Sequence, residues 1–168
     1  MALINGIQWY RTLLAISSVL FFNLSLQAQS DTIKKLHDQY DDAFVLFFYH
    51  NTLQMLNPNN DEQLDALIRD IDKMKFLSID KSENTITQDD IQTLYNNYKE
   101  ENFEELLNLR EKNTQVKALI KEKGGITYGL SIIMNSEDSL NVFDIKGSLP
   151  IEKIMDFIQF MMNSGKLN

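Results

Sequence analysis

The sequence VKALIKEKGGITYGLSIIMNSEDSLNVFDIKG, residues 116–147, decides the fold of this chain. Apolar and polar residues alternate in two of its segments, Val116–Ile120 and Ile126–Met134, with the period of a half-buried β-strand. Gly124-Gly125 is a turn sequence between them, and the polar sequence NSED turns the chain again. The stretch therefore predicts a three-stranded antiparallel meander whose last strand covers Leu140–Gly147.

Before the meander, helical and strand patterns alternate along the chain. Apolar residues spaced three and four apart predict a helix over Asp31–Tyr40 and a second one that Asp61 caps and that reaches Ile71. The run AFVLFFY, residues 43–49, predicts a strand, and its unbroken apolar character indicates that both of its faces are covered. KFLSID, residues 75–80, predicts another strand.

A further helix is predicted immediately before the meander. Thr87 and Asp90 form a capping box at its start. Its apolar phase breaks near Asn102, which predicts a second helical piece over Phe103–Leu107. After the meander, the apolar stripe from Ile151 to Met162 predicts a closing helix. These elements predict one α+β domain of two layers, with helices on a mixed, mostly antiparallel sheet of about five strands.

The first 28 residues have the layout of a cleavable secretory signal. Arg11 precedes the 15-residue stretch Thr12–Leu26, and Ala28 follows it as a small residue at the expected cleavage site. An uncleaved membrane anchor is the alternative, but a spanning helix needs about 20 apolar residues. The prediction is a signal peptide over residues 1–28 and a single domain over residues 29–168. We expect a periplasmic or secreted protein of the cell envelope of a Gram-negative bacterium.

The composition excludes several classes of function. Without residues 1–28 the chain has 15 basic and 24 acidic residues, a net charge of −9. Nucleic-acid binding needs clustered Lys and Arg, so no nucleic-acid partner is expected. The chain has no cysteine, which excludes disulfides, thiolate chemistry and cysteine-based metal sites. We expect no cofactor, no metal and no membrane span once the signal is removed.

The two histidines and two acidic loops are the candidate chemical sites. His37 has Asp41 four residues further on, and at this spacing a helix could offer two metal ligands. His50 directly follows an apolar strand, a position that a general base could occupy. No nucleophile motif accompanies either one. The loops that begin at Asn57 and Asp80 imitate calcium sites but lack the glycine and the final glutamate such sites need, so both are predicted to be turns.

Three segments carry a resemblance to a known family: FEELLNLRE (103–111), VKALIKEKGG (116–125) and VFDIKGSLPIEKI (142–154). With the signal peptide before them, they resemble the small exported proteins of Bacteroidota-type bacteria grouped as domain of unknown function 4252. Some members look like lipoproteins, and this chain, without cysteine, departs from them. The resemblance implies an envelope location and an α+β fold. It implies no activity and supplies no catalytic residue.

The leading interpretation is a non-enzymatic envelope or periplasmic domain that binds a protein partner or itself. Its surface would include Val45, Phe47 and Tyr49, which share one side of the AFVLFFY strand. We expect that side to be covered, by the Ile33–Tyr40 helix, the Phe103–Leu107 piece or a second copy. The alternative is a small periplasmic hydrolase or ligand-binding protein with a site near His50. A third interpretation, envelope stress sensing, rests on an association of such families with sigma-factor regulation.

Overall fold

The structure is a computed structural model that describes residues 30–164, so the predicted signal peptide lies outside the described residues. The described chain forms helices and strands with the following bounds: α1 (Asp31–Gln39), β1 (Phe44–Tyr49), α2 (His50–Leu53), a 3-10 helix (Gln54–Leu56), α3 (Glu62–Ile68), β2 (Ile71–Asp80), α4 (Gln88–Glu100), β3 (Glu104–Glu111), β4 (Thr114–Lys123), β5 (Ile126–Asn135), β6 (Ser139–Leu149) and α5 (Ile151–Ser164). Helices and strands make up an α+β domain, as predicted.

The strands form one sheet in the order β1-β2-β6-β5-β4-β3, and every neighbouring pair is antiparallel. The sheet therefore has six strands rather than about five, and it is not mixed. The additional strand is β3, which replaces the predicted helical piece over Phe103–Leu107. A β-bulge between Glu105 and Leu107 puts two successive leucines, Leu106 and Leu107, against the same core. The bulge hides the two-residue period of this strand from sequence analysis.

Helices cover both faces of the sheet, so the prediction of two layers is wrong and the domain has three. On one face α1 and α4 pack their apolar sides, including Ile33 and Tyr98, against β2, β4, β5 and β6; we call this the α1–α4 core. On the other face α3 and α5 contribute Leu67 and Ile154 to the α3–α5 core. The inner strands are apolar on both sides because both sides are buried.

One further boundary differs from the sequence prediction, and one predicted helix start agrees with the structure. Helix α3 ends at Ile68, and Ile71 is instead the first residue of β2, which is longer than predicted. The capping box at α4 is confirmed: the Thr87 N–H donates to the Asp90 carboxylate at 2.8 Å, and the Asp90 N–H donates to the Thr87 hydroxyl at 3.2 Å. Between residues 30 and 164, no helix is long and apolar enough to cross a membrane.

Candidate functional site

Strand β1 lies at one edge of the sheet, and most of its large side chains are exposed. Within residues 30–164, therefore, the chain itself covers the two faces of this strand only in part, and coverage by a second copy stays a prediction. The helices cover the inner strands, and within β1 their cores reach Phe48 on one face and Val45 on the other. The side chains left exposed are Phe44 (57%), Leu46 (38%), Phe47 (46%) and Tyr49 (62%). Phe44 and Leu46 are exposed on one face of the strand and Phe47 and Tyr49 on the other, so apolar surface lies on both sides of this edge.

The two edges of the sheet differ in chemistry. Strand β3, at the far edge, has four charged residues among its eight and carries the bulge. Charges and bulges are the devices that keep an edge from pairing with another chain. Strand β1 is FVLFFY, without a charge or a proline, and it pairs with β2 along all six residues without a register shift. The β1 edge therefore presents a regular, apolar strand to solvent.

Lysine residues of β2 stand beside the exposed aromatic rings of β1. In the ladder Phe47 is opposite Lys75 and Tyr49 is opposite Lys73. The Lys75 Nζ lies 5.1 Å from the centroid of the Phe47 ring, which is a cation–π distance. The Lys75 side chain thus extends over β1 toward the edge of the sheet.

Lys75 is buried and forms no ion pair with residues 30–164. Only 2% of the surface of Lys75 is exposed. Burial lowers its pKa, and the carboxylate of Asp144, its neighbour on β6, acts in the opposite direction. Lys73 faces Lys146 across the same ladder; burial and then the charge of Lys146 lower the Lys73 pKa. Within residues 30–164, no carboxylate lies at ion-pair distance from these three ammonium groups. A cationic area therefore borders the exposed face of β1 in an acidic protein.

Asp144 is the centre of a buried polar cluster further inside the sheet. Its Oδ2 accepts hydrogen bonds from the Ser30 hydroxyl at 2.7 Å and the Tyr98 hydroxyl at 3.2 Å. Burial is the main cause that raises the Asp144 pKa, although both hydroxyls lower it. Glu101 accepts from the Thr32 N–H and hydroxyl, at 2.6 Å each. These bonds fasten the start of α1 to the sheet and to α4.

A cavity of about 220 Å³ opens beside this cluster. It lies between the start of α1, the end of α4 and the strands β4, β5 and β6, and it is lined by Ser30, Asp31, Glu101, Phe103, Lys121, Tyr128, Gly129, Asp144, Ile145 and Lys146. Its lining offers carboxylates, hydroxyls and two ammonium groups but no imidazole. Such a cavity can hold polar groups, and the Ser30 hydroxyl and the Asp144 carboxylate in its lining are bonded to each other.

The structure separates the two histidines. His37 is half-buried on α1, and His50 begins α2, where its Nδ1 lies 3.1 Å from the Ile71 carbonyl oxygen. In the part of the chain that the structure describes, no group of three or more His, Asp or Glu side chains could hold a metal ion. The loops at Asn57 and Asp80 form turns: Asn57 bonds to the Asp61 backbone, and Asp80 accepts from the Asn84 N–H.

The predicted surface residues Val45, Phe47 and Tyr49 do share one side of β1, with Val45 half-buried at the α1–α4 core. Lys75 and Asp144, which border that side, were missed by sequence analysis. The signal that could have identified them is a charged residue inside an otherwise apolar strand, as in MKF and VFDI. Such residues are seldom buried without a partner.

The fold and the residues above belong to a family without an assigned activity. Residues 25–157 match the family model described as "Domain of unknown function (DUF4252)", and the chain belongs to this family. No curated protein and no solved structure matches the chain.

Proposed function

We propose that this protein is an exported, non-enzymatic binding module whose β1 edge accepts an extended segment of another polypeptide chain. In this mode, called β-strand addition, the backbone groups of an edge strand pair with a peptide, and side-chain contacts on the two faces select it. The observation that carries the proposal is the chemistry of β1: an uncharged edge strand with four exposed large apolar side chains.

The distribution of these side chains favours strand addition over docking onto a face. Phe44 and Leu46 are exposed on one face of β1, and Phe47 and Tyr49 on the other. A partner that packed on one face would leave the other pair in water. A strand added alongside β1 contacts both faces at once, because its own side chains alternate.

The test uses a displayed library of extended peptides selected on the purified protein. The affinities of selected peptides are then measured for a Leu46→Glu/Phe47→Glu variant and for a control, Asn108→Glu, at an exposed position of the other edge strand. We expect the double variant to bind about tenfold or more weakly, because it loses apolar contact on both faces, and the control to bind like the parent. Selected peptides that bind both variants equally would contradict the proposal.

Export is the second part of the proposal, and it is tested separately. The layout of residues 1–28 supports cleavage after Ala28. The intact mass of protein from the cell envelope should then correspond to a chain that begins at Gln29. Recovery of the uncleaved chain from the cytoplasm would contradict export without bearing on the binding edge.

A further inference from the structure

We infer that the segment bound along β1 is acidic on one side and apolar on the other, with Asp or Glu at every second position on the side of Phe47 and Tyr49. This inference rests on the proposed function and names the chemical class of its partner. Its basis is the group of three lysines Lys73, Lys75 and Lys146, which we call the lysine row.

The charge of the lysine row is compensated only in part within residues 30–164: Asp144 and Asp38 act to raise the pKa of Lys75, and Asp144 and Asp72 act to raise the pKa of Lys73, against the effect of burial. No ion pair is formed by these lysines with a carboxylate of residues 30–164, although the sequence has 24 acidic residues. Asp144 is opposite Lys75 in the ladder, but its Oδ2 accepts from the hydroxyls of Ser30 and Tyr98, and it forms no ion pair with Lys75. Carboxylates supplied from outside would compensate the row.

Two lysines of the row, Lys73 and Lys75, are on β2, which would be the second strand from a strand added to β1. Neighbouring strands are about 4.8 Å apart, so an added strand would lie about 10 Å from β2. The Lys75 Nζ already lies over the Phe47 ring on the intervening strand. A long acidic side chain on the added strand would meet the ammonium group above β1, in a partly buried place where a charge pair is stronger than in water.

The opposite face of β1 selects for different side chains. There Phe44 and Leu46 lie next to Phe76 and Met74 of β2, with the Phe44 and Phe76 rings 6.2 Å apart. This face has aromatic and aliphatic groups and no lysine of β1 or β2. Because the side chains of an added strand alternate between faces, the two surfaces together select a two-residue repeat of acidic and apolar residues.

A second copy of β1 does not match this requirement. Its sequence FVLFFY would place apolar side chains on both faces and leave the lysine row without a counter-charge. We therefore commit to a separate acidic segment as the occupant, and self-association through β1 is an outcome that the experiment must distinguish.

The experiment measures binding of three labelled synthetic peptides in which valine alternates with glutamate, glutamine or lysine. We expect the glutamate peptide to bind about tenfold more tightly than the glutamine peptide, since two or three partly exposed charge pairs supply about that factor. The lysine peptide should bind more weakly than both. The preference for glutamate should fall in high salt. It should disappear in a Lys73→Gln/Lys75→Gln/Lys146→Gln variant and persist in Lys99→Gln, a control at an exposed lysine of α4.

The outcomes separate this inference from the proposed function. If the glutamate and glutamine peptides bind with equal affinity and Leu46→Glu/Phe47→Glu loses binding, the inference of an acidic partner is overturned. The proposal that β1 is a binding edge then still stands. A glutamate preference that survives in Lys73→Gln/Lys75→Gln/Lys146→Gln also overturns the inference, because its source is then outside the lysine row. A third outcome is that none of the three peptides binds and that the protein forms a concentration-dependent dimer, which Leu46→Glu/Phe47→Glu abolishes. This outcome assigns the edge to a second copy and overturns the inference.

Discussion

At the scale of single residues, Lys75 is a charged side chain that is buried without an ion pair to residues 30–164. Its ammonium group is buried, and its only aromatic contact among residues 30–164 is with the Phe47 ring. A lowered pKa means that the charged form is less favourable in the folded chain than in the unfolded one. The lysine therefore costs stability in the unbound protein.

This cost leads to a stability prediction. We expect Lys75→Met, which retains the length of the side chain without its charge, to stabilise the protein by about 1 kcal/mol or more. Lys99→Met at an exposed position of α4 is the matched control and should change little. Chemical denaturation at neutral pH measures both. A less stable Lys75→Met variant would show that the ammonium group is compensated within the protein.

Asp144 makes the stability depend on pH. Its pKa in the folded protein is raised above the ordinary value of 3.8, mainly by burial. Between that value and the raised pKa, the folded protein holds a proton that the unfolded chain has released, so the free energy of unfolding falls as the pH rises. We expect Asp144→Asn to gain stability relative to the parent as the pH rises through this range. A difference between the two proteins that is constant with pH would contradict the assignment.

At the scale of the elements, strand β3 shows why some of the fold could not be predicted from the sequence. Segments that contain no register shift, such as Val116–Ile120, show their strand period directly in the sequence. In β3 the bulge at Glu105–Leu107 shifts the period, and the leucines then fit a helical spacing. The partner strand β4 decides between the two, and this long-range contact is not visible in a local pattern.

The junction between α3 and β2 depends on one glycine of β6. A Cβ atom on Gly147 would overlap the Asp70 carbonyl oxygen and lie 2.8 Å from the Ile71 Cα. Both are backbone atoms, which cannot move aside as a side chain could. Next to this contact the Ser148 N–H donates to the same Asp70 oxygen at 3.0 Å.

We therefore expect Gly147→Ala to destabilise the protein by about 1–3 kcal/mol. Gly129→Ala serves as the comparison, because the nearest atoms to a new Cβ there belong to side chains, at 3.3 and 3.4 Å. Its effect should be smaller. Thermal unfolding of both variants measures the difference, and equal melting temperatures would show that the β2–β6 junction adjusts.

At the scale of the whole molecule, the sequence predicted the class of fold but not the number of layers. The α1 and α5 helices, the meander and the strand character of AFVLFFY are all local patterns. The strand order decides which parts of the sheet the helices cover. Strand β1 is at an edge because β2, its only neighbour in the sheet of the described residues, pairs with β6 on the side away from β1. The apolar run AFVLFFY forms an edge strand, and within residues 30–164 four of its large side chains stay exposed.

The candidate site was predicted in part for the same reason. Phe47 and Tyr49 were identified because an apolar run exceeds what a one-sided sheet needs. Lys75 and Asp144 were missed because strand pairing decides their surroundings. Pairing with β1 places Lys75 opposite Phe47, and pairing with β2 places Asp144 opposite Lys75. The family match adds the extent of the domain and no activity.

The central claim is that β1 is an edge that accepts another strand, and amide hydrogen exchange tests it most directly. We expect the peptide of alternating valine and glutamate to slow exchange within residues 44–49, because amides that face solvent at an open edge become hydrogen-bonded in an added strand. Exchange in β3, residues 104–111, should stay as it is in the free protein. Protection that appears away from β1 while residues 44–49 exchange as before would contradict the account.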